Sequence, residues 1–276
     1  MALRAPDPPF RLGELPQAHK LQTRCGALEY VVSGNGAPAI VLFNGAGMTL
    51  GGWRALYPGV EQLGTVLAWN RFGIAGSDSP ERVQSGAVVI ASVRELLQYA
   101  GLEPPWVLVG HSLGGLYANL LARLHPRDVA GVLMLEATHP RDHEVLRMDE
   151  AQILRSLRKV LQLPEGLFRE NLHSEVEAVG HVVREVRSAG PFPEVPVTVV
   201  TGGMPPPKWI MPSEALEARL AHQRELARLS PLGEHMVARK SGHFPQLSEP
   251  QLVLDALAEL VSRARRAAPA LLARPG

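Results

Sequence analysis

The stretch WVLVGHSLGGLYANLLARL, residues 106–124, joins an apolar run, a glycine-framed serine and an amphipathic pattern in direct succession. The run at 106–109 has the length and apolarity of a buried strand, and the pattern from Leu113 to Leu124 has helical periodicity. Between them lies Gly-His-Ser-Leu-Gly, the only Gly-x-Ser-x-Gly in the chain. A strand that turns sharply into a helix at Ser112 is the setting in which this motif presents a reactive serine.

Such a turn has strict physical requirements. It holds the serine in strained backbone angles and brings the chain close to its neighbours, so the flanking residues must be very small. Gly110, Gly114 and Gly115 meet this requirement. The helix that follows directs free N–H groups at the substrate. We therefore predict that Ser112 is a nucleophile; the alternative is a glycine-rich turn with an incidental serine.

Strand and helix patterns alternate on both sides of this stretch, which predicts one α/β domain with a mostly parallel sheet. A capping box of Ser248 and Gln251 predicts the start of the last helix. The further strand-like runs are at 28–32, 39–43, 65–69, 132–135, 195–201 and 236–238, and the further helical patterns are at 87–99, 213–229 and 251–265.

One segment, 139–190, breaks the alternation, because helical patterns at 150–161 and 175–186 replace any strand. It is long for a single crossover. We predict a helical cap there, inserted in a core formed by about 20–138 and 191–265. The alternative is an ordinary pair of crossover helices.

The strand at 39–43 ends in Asn-Gly-Ala-Gly, residues 44–47. Parallel strands place this loop at the same sheet edge as Ser112, and its glycines let backbone N–H groups approach a substrate oxygen. We predict that the N–H groups of Ala46 and Leu113 form an oxyanion hole, since two such donors stabilise a tetrahedral oxyanion. The alternative is a plain glycine turn.

A serine hydroxyl needs a base, and histidine titrates in the useful range. His243 follows the last predicted strand and precedes the last helix, so it lies in a loop at the required edge. His139 and His143 have the spacing of a metal pair on a helix, but Pro140 and the lack of a nearby third ligand argue against one. We therefore expect neither metal nor organic cofactor.

The imidazole needs a carboxylate that fixes its tautomer and stabilises its charged form. The strand at 198–200 ends in Thr-Gly-Gly-Met-Pro, which contains no acid. The neighbouring strand at 132–135 ends in Glu136, whose side chain is long enough to reach the same histidine. We predict Glu136 as the acid, with Asp142 in reserve; the alternative is a strand-end carboxylate bound by backbone N–H groups.

Composition narrows the possible partners. The 28 Lys and Arg residues balance 27 Asp and Glu residues, so the chain has no charge with which to attract nucleic acid or acidic membranes. Cys25 is the single cysteine, which together with a proline-rich and charged N-terminus favours the cytoplasm. We expect a small-molecule substrate, with no membrane partner; a homo-oligomer is compatible with the sequence.

The chain from Cys25 to Val261 resembles the α/β-hydrolase superfamily in its esterase and lipase-like branch. GHSLGG (110–115) and SGHF (241–244) resemble that family's nucleophile elbow and histidine loop, and Ser112, Glu136 and His243 follow its chain order. WNRFGIAGSDSP (69–80) is similar to the loop after its fourth strand, where Arg71, Gly73 and Gly76 would be structural.

The resemblance implies an eight-stranded sheet with helices on both faces and a lid formed by 139–190. Asn44 stands where many relatives carry histidine, and many relatives place the acid after the strand at 198–200. The activity expected is cleavage of a carboxylic ester with a small to medium hydrophobic group through an acyl-enzyme. Amide, thioester or carbon–carbon bond cleavage, perhydrolysis, acyl transfer and a non-catalytic ligand-binding role remain alternatives.

Overall fold

The computed structural model describes residues 13–81, 84–142, 172–209 and 211–272. Its centre is an eight-stranded sheet in the order β1-β2-β4-β3-β5-β6-β7-β8. The pairs β1–β2 and β2–β4 are antiparallel, and all other neighbours are parallel, which confirms the predicted sheet. The strands are β1 His19–Thr23, β2 Gly26–Ser33, β3 Ile40–Phe43, β4 Val66–Trp69, β5 Trp106–His111, β6 Val129–Leu135, β7 Val197–Gly202 and β8 Gly233–Ala238.

Helices cover both faces of the sheet. The α-helices are α1 Tyr57–Val60, α2 Gly86–Tyr99, α3 Leu113–Leu124, α4 Leu172–Ser188, α5 Ser213–Ala227, α6 Pro245–Ser248 and α7 Pro250–Leu272, with short 3-10 turns at Leu50–Trp53 and Pro126–Asp128. Apolar side chains of α2, α3 and α4 form one core with the sheet, and those of α1 and α7 form the other. Every residue of β3, β4, β5 and β6 is buried, which explains why these strands are continuously apolar.

The edge strand β1, with the sequence HKLQT, is the strand whose pattern gave no signal. Three of its five residues are exposed, because an edge strand has neighbours on one side only. Charged and polar side chains also protect such an edge from pairing with another chain.

Ser248 and Gln251 do not form the predicted capping box, so that prediction is wrong. Ser248 ends the short helix α6, and its Oγ lies 2.9 Å from the carbonyl oxygen of Phe244. Gln251 donates its side-chain amide to Asp255 at 2.8 Å. Helix α7 does start close to the predicted position, at Pro250, but Ser248 belongs to α6 and is not its N-cap residue.

Helix α4 covers the carboxyl-terminal part of the range assigned to a cap. It packs into the same layer as α2 and α3, with Val182 and Val183 buried in their shared core. Glu185 of α4 also accepts a 2.7 Å hydrogen bond from the N–H of Gly86 at the start of α2. Residues 143–171, which include the helical pattern at 150–161, lie outside the described residues, and the cap stays a prediction.

Across the described helices, none is long and apolar enough to cross a membrane.

Candidate active site

Ser112 lies between β5 and α3 with backbone angles of φ 50° and ψ −121°. A non-glycine residue in this region carries a strain of roughly 1–3 kcal/mol. Hydrogen bonds hold it there: its N–H donates to Leu135 at 3.0 Å, and its carbonyl accepts from Gly115 at 2.9 Å and Thr138 at 3.0 Å. The strained turn is therefore tied to the end of β6 as well as to its own helix.

The elbow glycines leave no room for a side chain. A Cβ atom on Gly110 would lie 2.6 Å from Cα of Gly115, and one on Gly114 would lie 2.0 Å from the carbonyl oxygen of Phe43. A Cβ atom on Gly115 would lie 2.3 Å from Cβ of Ala137. Contacts this short are incompatible with any larger residue, so the glycines let β5, α3 and the loop after β3 meet.

His243 brings its Nε2 atom to 3.1 Å from Oγ of Ser112. The backbone of His243 is held by His111 of the nucleophile turn, whose Nε2–H donates to the carbonyl oxygen of His243 at 2.8 Å. Burial and the nearby His243 ring lower the pKa of His111 to about 3. His111 therefore stays neutral near pH 7, and it supports His243 by donating a hydrogen bond to its carbonyl oxygen.

The loop that carries His243 has a second anchor at its start. One carboxylate oxygen of Glu249 accepts from the backbone N–H of Lys240 and from the hydroxyl of Ser241, both at 2.7 Å. The carbonyl of Ser241 in turn accepts from the N–H of Met204 at 2.8 Å. The loop is thus fixed to the starts of α7 and of the β7–α5 connection.

Glu136 directly follows β6 with a positive φ of 46°, and its Oε2 lies 3.4 Å from Nδ1 of His243. Oε1 accepts the backbone N–H of Gly202 at 2.7 Å, and Oε2 accepts from Arg219 at 2.9 Å. Burial by itself would raise the pKa of this carboxyl, but Arg219 and His243 outweigh it and lower the pKa to about 2. The side chain is therefore an anion near pH 7.

Residue 202, the last of β7, cannot hold an acid in this chain. A Cβ atom on Gly202 would lie 2.1 Å from the carbonyl oxygen of Gly242, so any side chain there would collide with the histidine loop. The reserve candidate Asp142 points elsewhere. Its oxygens lie 2.7 Å from Nδ1 of His222 and 3.2 Å from the guanidinium of Arg219.

The two predicted oxyanion donors lie on segments that pack directly together. A Cβ atom on Gly45 would lie 2.7 Å from Nδ1 of His111, which shows how closely the 44–47 loop approaches the elbow. Ala46 and Leu113 are both fully buried. Among the described residues, no hydrogen bond from either backbone N–H is found, and their role as oxyanion donors stays a prediction.

One cluster has the composition of a metal site. Side-chain donor atoms of His139, Asp142 and His222 lie within 4.8 Å of one another. The adjacent guanidinium of Arg219 bonds Asp142 and disfavours a second cation there, and Asp142 also accepts the N–H of His139 at 2.7 Å. The cluster is a hydrogen-bonded support for Arg219. His143, whose spacing from His139 is that of a metal pair but whose sequence context argues against one, lies outside the described residues.

The sequence profile of the Alpha/beta hydrolase family matches residues 40–256. This chain belongs to the Alpha/beta hydrolase family. The match includes the elbow, Glu136 and His243.

Two solved members of this fold are similar over nearly the whole chain. A thermophilic esterase from Thermogutta terrifontis has 22% sequence identity and a TM-score of 0.65, over 90% of this chain and 99% of that one. The enol-lactonase from Burkholderia xenovorans has 18% identity and a TM-score of 0.66, over 88% of this chain and all of that one. At these identities the similarity supports the α/β-hydrolase fold.

Curated relatives match over smaller shares of their length. Epoxide hydrolase 4 of Mus musculus is 25% identical over 75% of this chain and 59% of its own. An uncharacterised protein of Schizosaccharomyces pombe is 35% identical over 72 residues, which is 26% of this chain and 14% of that protein.

The residues that support the site were not assigned roles from the sequence. His111 lies inside the Gly-x-Ser-x-Gly motif without a role of its own there, and Arg219 and Glu249 lie within or beside predicted helices. A partial signal existed for Arg219, since an acid placed after β6 needs a partner to stay ionised when buried. No local pattern identifies which arginine supplies it.

Proposed function

We propose that this chain is a serine hydrolase that cleaves a carboxylic ester with a small to medium hydrophobic acyl or alcohol group. One observation carries the proposal. Ser112, His243 and Glu136 form a continuous chain of polar contacts, 3.1 Å and 3.4 Å long, at the amino end of α3. This is the arrangement by which a histidine activates a serine while a carboxylate orients the histidine.

In the proposed reaction, Nε2 of His243 takes the hydroxyl proton as Oγ of Ser112 attacks the ester carbonyl carbon. The carbonyl oxygen becomes an oxyanion held by the N–H groups of Ala46 and Leu113. His243 then gives the proton to the leaving alcohol, and an acyl-enzyme remains. Water, activated by the same histidine, attacks the acyl carbon and releases the acid together with Ser112.

Glu136 acts in this scheme without taking the proton. Its carboxylate keeps the His243 proton on Nδ1, which leaves Nε2 free to face Ser112, and it stabilises the imidazolium that forms. The low pKa of Glu136 supports this role, because the group remains charged throughout the range in which histidine titrates. Besides the substrate and the hydrolytic water, the route uses side chains and backbone groups of this chain.

The relatives include enzymes of different chemistry, and Ser112 favours ester cleavage among them. The sites of epoxide hydrolases and haloalkane dehalogenases on this scaffold resemble this site with an aspartate in place of Ser112. The esterase and the enol-lactonase among the similar structures are named for ester cleavage. Amide, thioester or carbon–carbon cleavage and acyl transfer would use the same acyl-enzyme or its close equivalent.

The proposal is tested with a fluorophosphonate probe and with p-nitrophenyl esters of graded chain length. We expect covalent labelling and ester turnover in the wild type, both lost in Ser112→Ala and strongly reduced in His243→Ala. Ser92→Ala is the matched control, because Ser92 is equally buried but lies in α2. A wild-type protein that neither reacts with the probe nor hydrolyses any ester would refute the proposal.

A further inference from the structure

A buried ion pair ties the loop after β4 to helix α4. The guanidinium of Arg71 bonds both carboxylate oxygens of Glu175, through Nε to Oε1 and through Nη2 to Oε2 at 3.0 Å. The side chains are 2% and 0% exposed, and the guanidinium lies over the ring of Tyr117 at 5.3 Å. A buried pair of charges survives only when its remaining hydrogen-bonding groups are also satisfied.

The other hydrogen bonds of the pair go to the loop at 44–47, which carries the predicted oxyanion donor Ala46. Arg71 donates to the carbonyl oxygen of Asn44 at 2.7 Å and to that of Gly45 at 2.8 Å. Glu175 accepts the backbone N–H of Gly47 at 2.6 Å. The ion pair therefore contacts backbone atoms of the residues on both sides of Ala46, namely Asn44 and Gly45 before it and Gly47 after it.

One of these contacts fixes the direction of a predicted oxyanion donor. The carbonyl of Gly45 and the N–H of Ala46 belong to the same planar trans peptide and point in opposite directions. Arg71 holds that oxygen at 2.8 Å, and the N–H of Met48 adds a longer hydrogen bond of 3.3 Å. The shorter, charged contact thus contributes most to where the Ala46 N–H points. A cation on the oxygen also polarises the peptide and strengthens its N–H as a donor.

The side chain of residue 44 does not supply this support. Asn44 approaches the carbonyl oxygen of Trp69 at 3.4 Å through Nδ2, and within the described residues its Oδ1 has no hydrogen-bond partner. The loop peptides are instead anchored through Arg71 and Glu175.

We infer that Arg71 and Glu175 are positioning residues that orient the Ala46 N–H toward the substrate oxyanion. The inference rests on the proposed function, because it assigns a role in the same reaction. It also means that helix α4 contributes to catalysis from outside the triad, through a carboxylate that touches neither substrate nor Ser112.

The test removes both charges at once with Arg71→Met/Glu175→Leu, so that no unpaired charge is left buried. A trifluoromethyl ketone probe forms a covalent oxyanion on Ser112, whereas the matching methyl ketone reports ground-state binding. We expect the double variant to bind the trifluoromethyl ketone about 10- to 100-fold more weakly and to lose kcat by a similar factor. Methyl ketone affinity and KM should change by less than about threefold.

Two further variants separate positioning from folding. Arg71→Lys keeps the charge opposite Glu175 but loses the fork that reaches two carbonyls, so kcat should fall while Tm stays close to that of the wild type. Arg94→Met is the matched control, because Arg94 also pairs with a carboxylate, Asp128, and lies over an aromatic ring, that of Trp106. We expect it to leave both ketone affinities and kcat unchanged.

The outcomes are distinct. Wild-type kcat and trifluoromethyl ketone affinity in a folded double variant or in Arg71→Lys would overturn the inference and leave the proposed function intact. Equal losses of affinity for both ketones would also overturn it, because they would indicate a damaged pocket. A wild type that neither hydrolyses esters nor binds the trifluoromethyl ketone overturns the proposed function, and the inference falls with it.

Discussion

The backbone N–H of Gly202 donates a 2.7 Å hydrogen bond to Oε1 of Glu136, which joins the end of β7 to the carboxylate at the end of β6. The carboxylate reaches across one strand and faces Nδ1 of His243 from there. Arg219 completes its surroundings. This arrangement makes the site sensitive to the residues at both strand ends, in ways that can be measured.

Replacement of Glu136 by glutamine should abolish most of the activity. Glutamine keeps the size but loses the charge that stabilises the imidazolium, and its amide can force the wrong tautomer on His243. We expect kcat for a p-nitrophenyl ester to fall by about 10³- to 10⁴-fold, as for the equivalent change in other triads. Asp142→Asn should stay within about threefold of the wild type. Full activity in Glu136→Gln would contradict the assignment of the acid.

A side chain at position 202 should damage the site without restoring an acid. Gly202→Ala places Cβ 2.1 Å from the carbonyl oxygen of Gly242, which is a steric clash. We therefore expect a loss of about 1–3 kcal/mol in the free energy of unfolding, measured by urea denaturation. Gly202→Asp should fail to rescue Glu136→Gln. The matched control is Gly180→Ala in helix α4, where the nearest atom to a new Cβ is 3.8 Å away and stability should rise slightly. Rescue by Gly202→Asp would show that the β7 end tolerates an acid after all.

Stability should fall in acid through Glu136. Its pKa is about 2 in the folded protein against the ordinary value of 4.5, so only the unfolded chain binds the proton between these values. The contribution is complete above pH 4.5 and declines toward pH 2, by about 3 kcal/mol in all. Arg219→Met raises the folded-state pKa and should flatten this decline. Urea denaturation between pH 7 and pH 3 measures it, with Arg224→Met on the same helix as control; equal slopes in both variants would refute the role of Arg219.

His111 should affect both catalysis and the pH dependence of stability. Its folded-state pKa of about 3 lies below the ordinary 6.5, so the unfolded chain takes up the proton first, and stability falls as the pH drops below 6.5. His111→Phe removes this proton uptake, and the slope of unfolding free energy between pH 6.5 and pH 4.5 should become shallower. The variant also frees the His243 carbonyl, so we expect about a tenfold loss of kcat. Unchanged kcat would show that the His243 loop needs no support from the elbow.

The sequence predicted the three residues of the candidate site better than the side chains that support them. The buried strands are continuously apolar, and the rule that parallel strands end at one edge was enough to bring Ser112, Glu136 and His243 together. Arg71 and Glu175 are 104 positions apart, and Arg219 is 83 positions from Glu136. Such partners are selected by three-dimensional packing, and no local periodicity encodes them. The capping-box prediction is wrong for a related reason, because Ser248 belongs to the short helix α6 and not to a loop before α7.

The position of Glu136 also means that the β7–α5 connection does not have to supply the acid. The N–H of Met204 still holds the histidine loop, but no side chain of residues 205–209 is bound to Ser112, His243 or Glu136 in the described structure. Trp209 projects with 66% of its surface exposed. Substitutions at 205–209 should therefore remove no contact among Ser112, His243 and Glu136, because the acid lies at the end of the neighbouring strand.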